Sequence, residues 1–308
     1  MDIYMAGSTF KELNGWMQER GYNKLFSQLN DRKEIANWVE YRKQHPETKS
    51  KLFVDSGAFT AHTKGVEIDC DEYIDYLNKN SDYLTVYAQL DDIPGQYGRP
   101  RTTQELKESP EKSWNNYLYM APKLKDKVKL MPVFHQGEDY KWLDNMLNYQ
   151  DENGNFIDYI GIAPGKDLSV QERRMFLDEV FDHIVRSKNP NVKTHALGIT
   201  SLWMLELYPF TSADSTSWIM TAVTGSIFTP NGTVTLSEQT QDKGTNYHNI
   251  TNPELKKSID NYVTSKGYTI EGLTKDYKQR EMFNIMYLNE WASNYKWKER
   301  NLKLGQLF

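Results

Sequence analysis

Acids, amides, histidines and glycines recur in this chain immediately after short apolar runs. Val54 is followed by Asp55-Ser56-Gly57-Ala58-Phe59, Leu90 by Asp91-Asp92, and Phe134 by His135-Gln136-Gly137-Glu138-Asp139. Further along, Ile160-Gly161-Ile162 leads into Ala163-Pro164-Gly165, His195 precedes Ala196-Leu197-Gly198-Ile199-Thr200, and Ala213 precedes Asp214-Ser215-Thr216-Ser217-Trp218. Taken singly, Asp55-Ser56-Gly57 is an ordinary turn and Asp214 to Ser217 an ordinary helix cap. Carboxylates gathered on one rim repel and raise each other's pKa values unless a ligand or a reaction uses them, so the joint placement points to chemistry. His135 and His195 carry two readings, as core histidines held by a carbonyl or as contacts to a phosphate or sugar.

A rim requires strands that end at one place. Eight short apolar runs alternate with amphipathic ones: Ile3 to Ala6, Leu52 to Asp55, Tyr83 to Leu90, Lys129 to Phe134, Tyr159 to Ala163, Lys193 to Leu197, Thr211 to Asp214 and Ser226 to Thr229. Helices are expected over Arg32 to His45, Asp71 to Asn80, Ser113 to Leu124, Tyr140 to Tyr149, Ser169 to Ser187 and Ser201 to Tyr208, with Ser169 and Glu172 spaced as a capping box. Alternating βα units of this number and size predict an α/β protein, a (β/α)8 TIM barrel over residues 1–230, whose strand C-termini face one pocket. Ala6-Gly7-Ser8 is too short to be the phosphate loop of an open doubly wound sheet.

From Pro230 to Pro253 the chain is polar and rich in breaker pairs, which predicts a long loop, and Pro253 to Phe308 reads as helical. Residues 231–308 are thus expected to form a C-terminal helical extension. The lysines and arginines of Pro253 to Phe308 give that stretch a surplus of about three positive charges on a chain of net charge -5. That extension is either a helical brace packed on the barrel or a basic arm that grips a polyanion. The lone Cys70 admits neither an internal disulfide nor a multi-cysteine zinc cage, and no run approaches the roughly 20 apolar residues of a membrane helix. The start, Met-Asp-Ile-Tyr-Met-Ala-Gly, lacks a secretion signal, so a cytoplasmic location and no membrane partner are expected.

Asp55-Ser56-Gly57-Ala58-Phe59, His135-Gln136-Gly137-Glu138-Asp139, Gly161-Ile162-Ala163-Pro164-Gly165, Leu197-Gly198-Ile199 and Asp214-Ser215-Thr216-Ser217-Trp218 occur in an order that resembles the tRNA-guanine transglycosylase superfamily. Over residues 1 to 230 the closer likeness is to its short phage and bacterial members, which put 7-deazaguanine bases into DNA. The resemblance implies that Asp214 is the nucleophile that attacks C1′ and that Asp55 handles the proton of the leaving or incoming base. It implies that Asp91 reads the Watson–Crick edge with Gln136 beside it, that Gly161 and Ile162 offer backbone contacts, and that Phe59 and Leu197 sandwich the heterocycle. Ser56, His135 and His195 are further candidate substrate-binding residues, outside what the resemblance assigns. Such chemistry cuts an N-glycosidic bond through an oxocarbenium-like state and needs one carboxylate below the sugar and one proton donor at the base.

The tRNA enzymes of that superfamily carry a zinc site of three cysteines and a histidine, and this chain has one cysteine. No metal and no other cofactor is therefore expected, and the polymer partner implied is DNA ahead of tRNA, with guanine or a 7-deazaguanine as the base. A duplex base must be flipped or presented single-stranded to reach a barrel mouth. Superfamily members often dimerise, so a homodimer is admitted, and a phage-encoded member would work in the host cytoplasm. A retaining glycosidase or nucleosidase would use the same two carboxylates, and a base-binding barrel without catalysis is the third reading.

Overall fold

The computed structural model describes residues 1–95, 102–165, 168–199, 201–237, 245–295 and 297. Along the chain run β1 (Asp2–Ala6), α1 (Leu13–Glu19), β2 (Asn23–Ser27), α2 (Arg32–Gln44), β3 (Leu52–Asp55), α3 (Ala58–Lys64), α4 (Cys70–Asn80), β4 (Val86–Ala88) and α5 (Thr103–Met120). They are followed by β5 (Leu130–Met131), β6 (Val133–His135), α6 (Lys141–Asn148), β7 (Tyr159–Ala163), α7 (Val170–Arg186), β8 (Lys193–Ala196), α8 (Leu202–Leu205), β9 (Ser212–Ser215) and α9 (Ser217–Val223). The last part holds β10 (Ser226–Thr229), β11 (Gly232–Thr235), β12 (Thr245–Asn246), α10 (Pro253–Ser265), α11 (Ile270–Lys275) and α12 (Tyr277–Asn294).

The first nine strands form one parallel sheet in the order β5-β4-β3-β2-β1-β9-β8-β7-β6. Its two ends, β5 and β6, flank Pro132, which has no N–H to give a ladder and so divides one continuous strand into two segments. The Pro132 carbonyl still accepts from the Gly161 N–H at 2.8 Å, which stitches the ends together. The sheet is thereby nearly closed into a barrel with helices around it, the expected α/β architecture. Side chains alternate as the pleat requires. Tyr4, Phe53, Val86, Ala88, Met131, Val133 and Tyr159 pack together in the lumen, and their strand neighbours Ile3, Met5, Leu52, Val54, Tyr87 and Phe134 pack outward under the helices.

Two strands differ from expectation. The second is Asn23–Ser27, which the apolar pattern misses because its buried outward position is Lys24, whose ammonium donates to the Gly7 carbonyl. The expected eighth, Ser226–Thr229, is not in the barrel: it pairs antiparallel with β11, and β11 pairs with β12 in a separate small sheet. The polar stretch after Pro230 is accordingly a hairpin and a 3-10 turn at Tyr247–Asn249 as well as loop, and the expected boundary at residue 230 falls inside that hairpin. Ile227, Val234, Leu236, Ile259, Val263, Leu273 and Phe283 give the extension a core of its own. The Ser169–Glu172 capping box forms as read, with each residue's backbone N–H held by the other's side chain.

α12 belongs to both cores. Phe283 enters the small one, while Ile285, Leu288 and Ala292 enter the main one, where α12 lies against β1 and α9 and completes the helical ring. At its end the Trp291 indole N–H donates to Glu206 and the Tyr295 hydroxyl to carbonyls of Leu205 and Tyr208, so this stretch braces the barrel. Lys296, Lys298, Arg300 and Lys303, the basic cluster of the tail, lie outside the described residues. Among the described residues no helix is long and apolar enough to cross a membrane. Leu288 is 1% exposed, so Leu288→Ala is expected to cost about 2–5 kcal/mol in denaturant unfolding. An unchanged midpoint would detach α12 from the barrel core.

Candidate active site

Parallel strands end on one side, and the two-residue period brings Asp55, His135, His195, Leu197 and Asp214 to the lumen at that side. Asp214 ends the inward row of β9 and is 9% exposed. Its Oδ1 accepts from the Gly198 backbone N–H at 2.8 Å and faces His195 Nε2 at 3.3 Å. Its Oδ2 makes no hydrogen bond among the described residues. Gly198 has φ 65°, a left-handed turn that a glycine adopts without the clash a Cβ would bring, and the turn aims its N–H back at the carboxylate.

Asp55 closes β3. Its Oδ2 accepts from the Gly57 N–H at 2.9 Å. Gly57 has φ 83°, and a Cβ there would meet Ser27 Oγ at 2.6 Å and Leu29 Cβ at 2.7 Å, so the turn requires glycine. Ser56 is buried, and its carbonyl is held by the Gln28 amide. Burial pushes the Asp55 carboxyl up to about 6; the Gly57 N–H opposes that shift, and the negative charges of Asp91 and Asp214 add to it. Phe59, in the first turn of α3, is 59% exposed at the rim.

Asp91 follows β4. Its Oδ1 accepts from the Gln89 side-chain amide at 2.7 Å, and its Oδ2 lies 3.6 Å from His135 Nε2. The other ring nitrogen of His135 lies 3.0 Å from Glu138 Oε1. Burial raises the Asp91 carboxyl, and His135 and Gln89 oppose that shift. The loop carrying Asp91 is fixed from α5, where Ser113 Oγ accepts from the Asp92 N–H at 2.9 Å and the Asn116 amide donates to the Leu90 carbonyl.

The remaining expected contacts divide between lumen and scaffold. Gln136 ties two loops together: its Nε2 donates to the Glu172 carbonyl and its Oε1 accepts from the Gly165 N–H, both at 3.0 Å. Gly161 has its N–H in the barrel seam, and its bare Cα leaves room for Met131, Leu197 and Val133, each of which would lie within about 3.1 Å of a Cβ there. The Ile162 carbonyl accepts from the Leu197 N–H in the ladder, and its side chain packs outward. Leu197 is half-buried in the lumen beside Gly161. His195 is 0% exposed, one layer below Asp214, so it reaches the mouth through that carboxylate alone.

Gln89 was not legible from the sequence as a site residue. It is fully buried, it orients Asp91, and its Oε1 has no partner among the described residues. The signal for it is an amide two residues before an acid at a strand end. Among the described residues no cluster of histidine, cysteine, aspartate and glutamate is arranged to hold a metal ion.

The Asp55 shift generates a pH prediction. The folded protein holds this proton more tightly than the unfolded chain, so the group destabilises the fold progressively as pH rises from about 4 to about 6 and fully above that. Asp55→Asn, whose amide oxygen still accepts from Gly57, is expected to raise Tm at about pH 7–8, with the gain fading as pH falls toward about 4. A gain that persists undiminished at acidic pH would contradict the assignment. No family model matches this chain and no curated protein matches it, so its residues and their geometry carry the functional reading.

Proposed function

We propose that the barrel mouth exchanges a purine base in a polynucleotide, replacing guanine with a 7-deazaguanine in DNA through a covalent aspartyl-glycosyl intermediate. The observation that carries this reading is the pairing of two differently held carboxyls in one lumen. Asp214 is bonded through Oδ1 alone, and Asp55 holds its proton up to about pH 6. A carboxyl with a free oxygen beside a second carboxyl that holds its proton suits a division into nucleophile and acid.

In the first half, Asp214 Oδ2 attacks C1′ as the C1′–N9 bond breaks, and Asp55 delivers its proton to the departing base. In the second half, the incoming base gives its N9 proton to Asp55 while N9 attacks C1′ and releases the Asp214 carboxylate. Asp91, oriented by Gln89 and His135, is the acceptor for the N1–H and amino donors of a guanine-type edge. Leu197, over the space left by Gly161, and Phe59 at the rim supply apolar surface for the ring. Gln136 supports this pocket by clamping the loop at Gly165 and the start of α7, in place of the direct base contact first expected of it. The single cysteine argues against the zinc-bearing module of the tRNA enzymes and favours DNA as the polymer. A target base reaches the lumen only after flipping or from a single strand.

Incubation with radiolabelled guanine and DNA or tRNA separates the readings: exchange labels the polymer, hydrolysis releases base without labelling, and a binding protein does neither. Asp214→Ala is expected to cut labelling by at least about 10³-fold and to abolish a trappable protein–DNA adduct, with Tm maintained. Wild-type labelling in that variant would remove Asp214 as nucleophile.

A further inference from the structure

Below Asp214 the lumen is not filled by apolar side chains alone. His195 Nδ1 meets Ser212 Oγ, and Ser212 Oγ meets the Tyr159 hydroxyl, so three polar groups lead from the base of β7 to the carboxylate. Backbone register sets the alignment: Ser212 lies opposite His195 in the β8–β9 ladder, and Asp214 is the next inward residue of β9. We infer that Tyr159, Ser212 and His195 form a one-way hydrogen-bond relay that anchors Oδ1 of Asp214 and leaves Oδ2 as the reacting atom. This inference rests on the reading of Asp214 as a nucleophile, and the three residues are positioning residues.

The direction of the relay follows from the donors available. An ionised Asp214 only accepts, so His195 must carry its proton on Nε2 and donate it there. In the neutral imidazole Nδ1 is then a bare acceptor, and it accepts a hydrogen bond from the Ser212 hydroxyl. The Ser212 oxygen in turn accepts from Tyr159, whose hydroxyl burial keeps protonated well above the ordinary tyrosine range. Reversing any one link would leave a hydroxyl or ring nitrogen without its complement in a space closed to water, a costly state. The ring is also fixed sideways: Phe53 meets it edge-on with centroids 4.8 Å apart, and Tyr4 and Tyr159 lie at 6.0 and 6.4 Å. An imidazole held in one tautomer and one plane gives the carboxylate one orientation, as an orienting acid does for a catalytic histidine.

The test has a readout that does not depend on catalysis. In the full-length protein labelled with nitrogen-15 histidine, long-range proton–nitrogen spectra should show His195 protonated on Nε2 and bare on Nδ1. Ser212→Ala should broaden or mix the tautomers, and Tyr159→Phe, which keeps the ring and its packing, should shift the Nδ1 resonance in the same direction to a smaller extent. In the labelled-guanine assay both variants should lose about 10- to 100-fold in kcat, the range typical when an outer partner that orients a functional imidazole is removed, with KM for the base unchanged. His195→Gln, which keeps an N–H donor at the Nε2 position, should retain more kcat than His195→Ala. A proton on Nδ1 in the wild type, a tautomer indifferent to both Ser212→Ala and Tyr159→Phe, or equal activity of the two His195 variants would overturn the relay. Should the wild type fail to exchange base while the spectra behave as described, the proposed function falls and the relay stands; the reverse pattern removes the relay and keeps the function.

Discussion

Asp55, Asp91 and Asp214 share one low-dielectric lumen, and the fold must make that arrangement bearable. Three ionised carboxylates there would repel strongly, and the polypeptide meets the problem differently at each one. Asp214 meets a backbone N–H from Gly198 and the Nε2 edge of His195. Asp91 is given an amide from Gln89 and an imidazole from His135. At Asp55 burial, with the field of the other two acids added, outweighs the backbone N–H groups of Gly57 and Ser56 and pushes the carboxyl up to about 6. The asymmetry among three chemically identical side chains is what turns an acidic cavity into a site with distinct roles.

Those supports come from the scaffold, which explains the use of glycine at the rim. Gly57 and Gly198 both adopt positive φ and both direct an N–H at a catalytic candidate two residues or one strand away. Gly161 does a different job, since its φ is unexceptional and its value is the volume it gives up to Leu197, Met131 and Val133. One residue type thus appears at the mouth for two physical reasons, turn geometry and space.

Much of this was legible beforehand because parallel strands write it in a simple code: an apolar run, then a polar residue at its C-terminal end. Asp55, Asp91, His135 and Asp214 follow that code, and the Ser169 cap follows from its spacing to Glu172. The misses are places where local pattern and tertiary role part company. Lys24 breaks the apolar signature of β2 because its amine is held by the Gly7 carbonyl, which only the fold reveals. Ser226–Thr229 has a strand's composition, and composition does not say which sheet it joins. For Gln136 and His195 the sequence did not show the bonds each makes, to Gly165 and Glu172 in one case and to Ser212 and Asp214 in the other.

The extension is tied into the mouth by the same kind of buried polar contact. Glu281 of α12 accepts from the Thr9 hydroxyl, and Lys24 donates to the Gly7 carbonyl, so both ends of the segment after β1 are held. Burial pulls the Lys24 amine down to about 7 and raises the Glu281 carboxyl. Each is thereby nearer its neutral form, where a buried side chain costs less. Within the barrel, the Trp218 indole N–H of α9 donates to the Ala6 carbonyl at 3.1 Å. Because β1 pairs with β9 through Tyr4 and Asp214, a shift of α12 would reach the segment after β1 and, across one ladder, the strand that carries Asp214. The small appended core and the strand beside β9 thus share one helix, α12, in their packing.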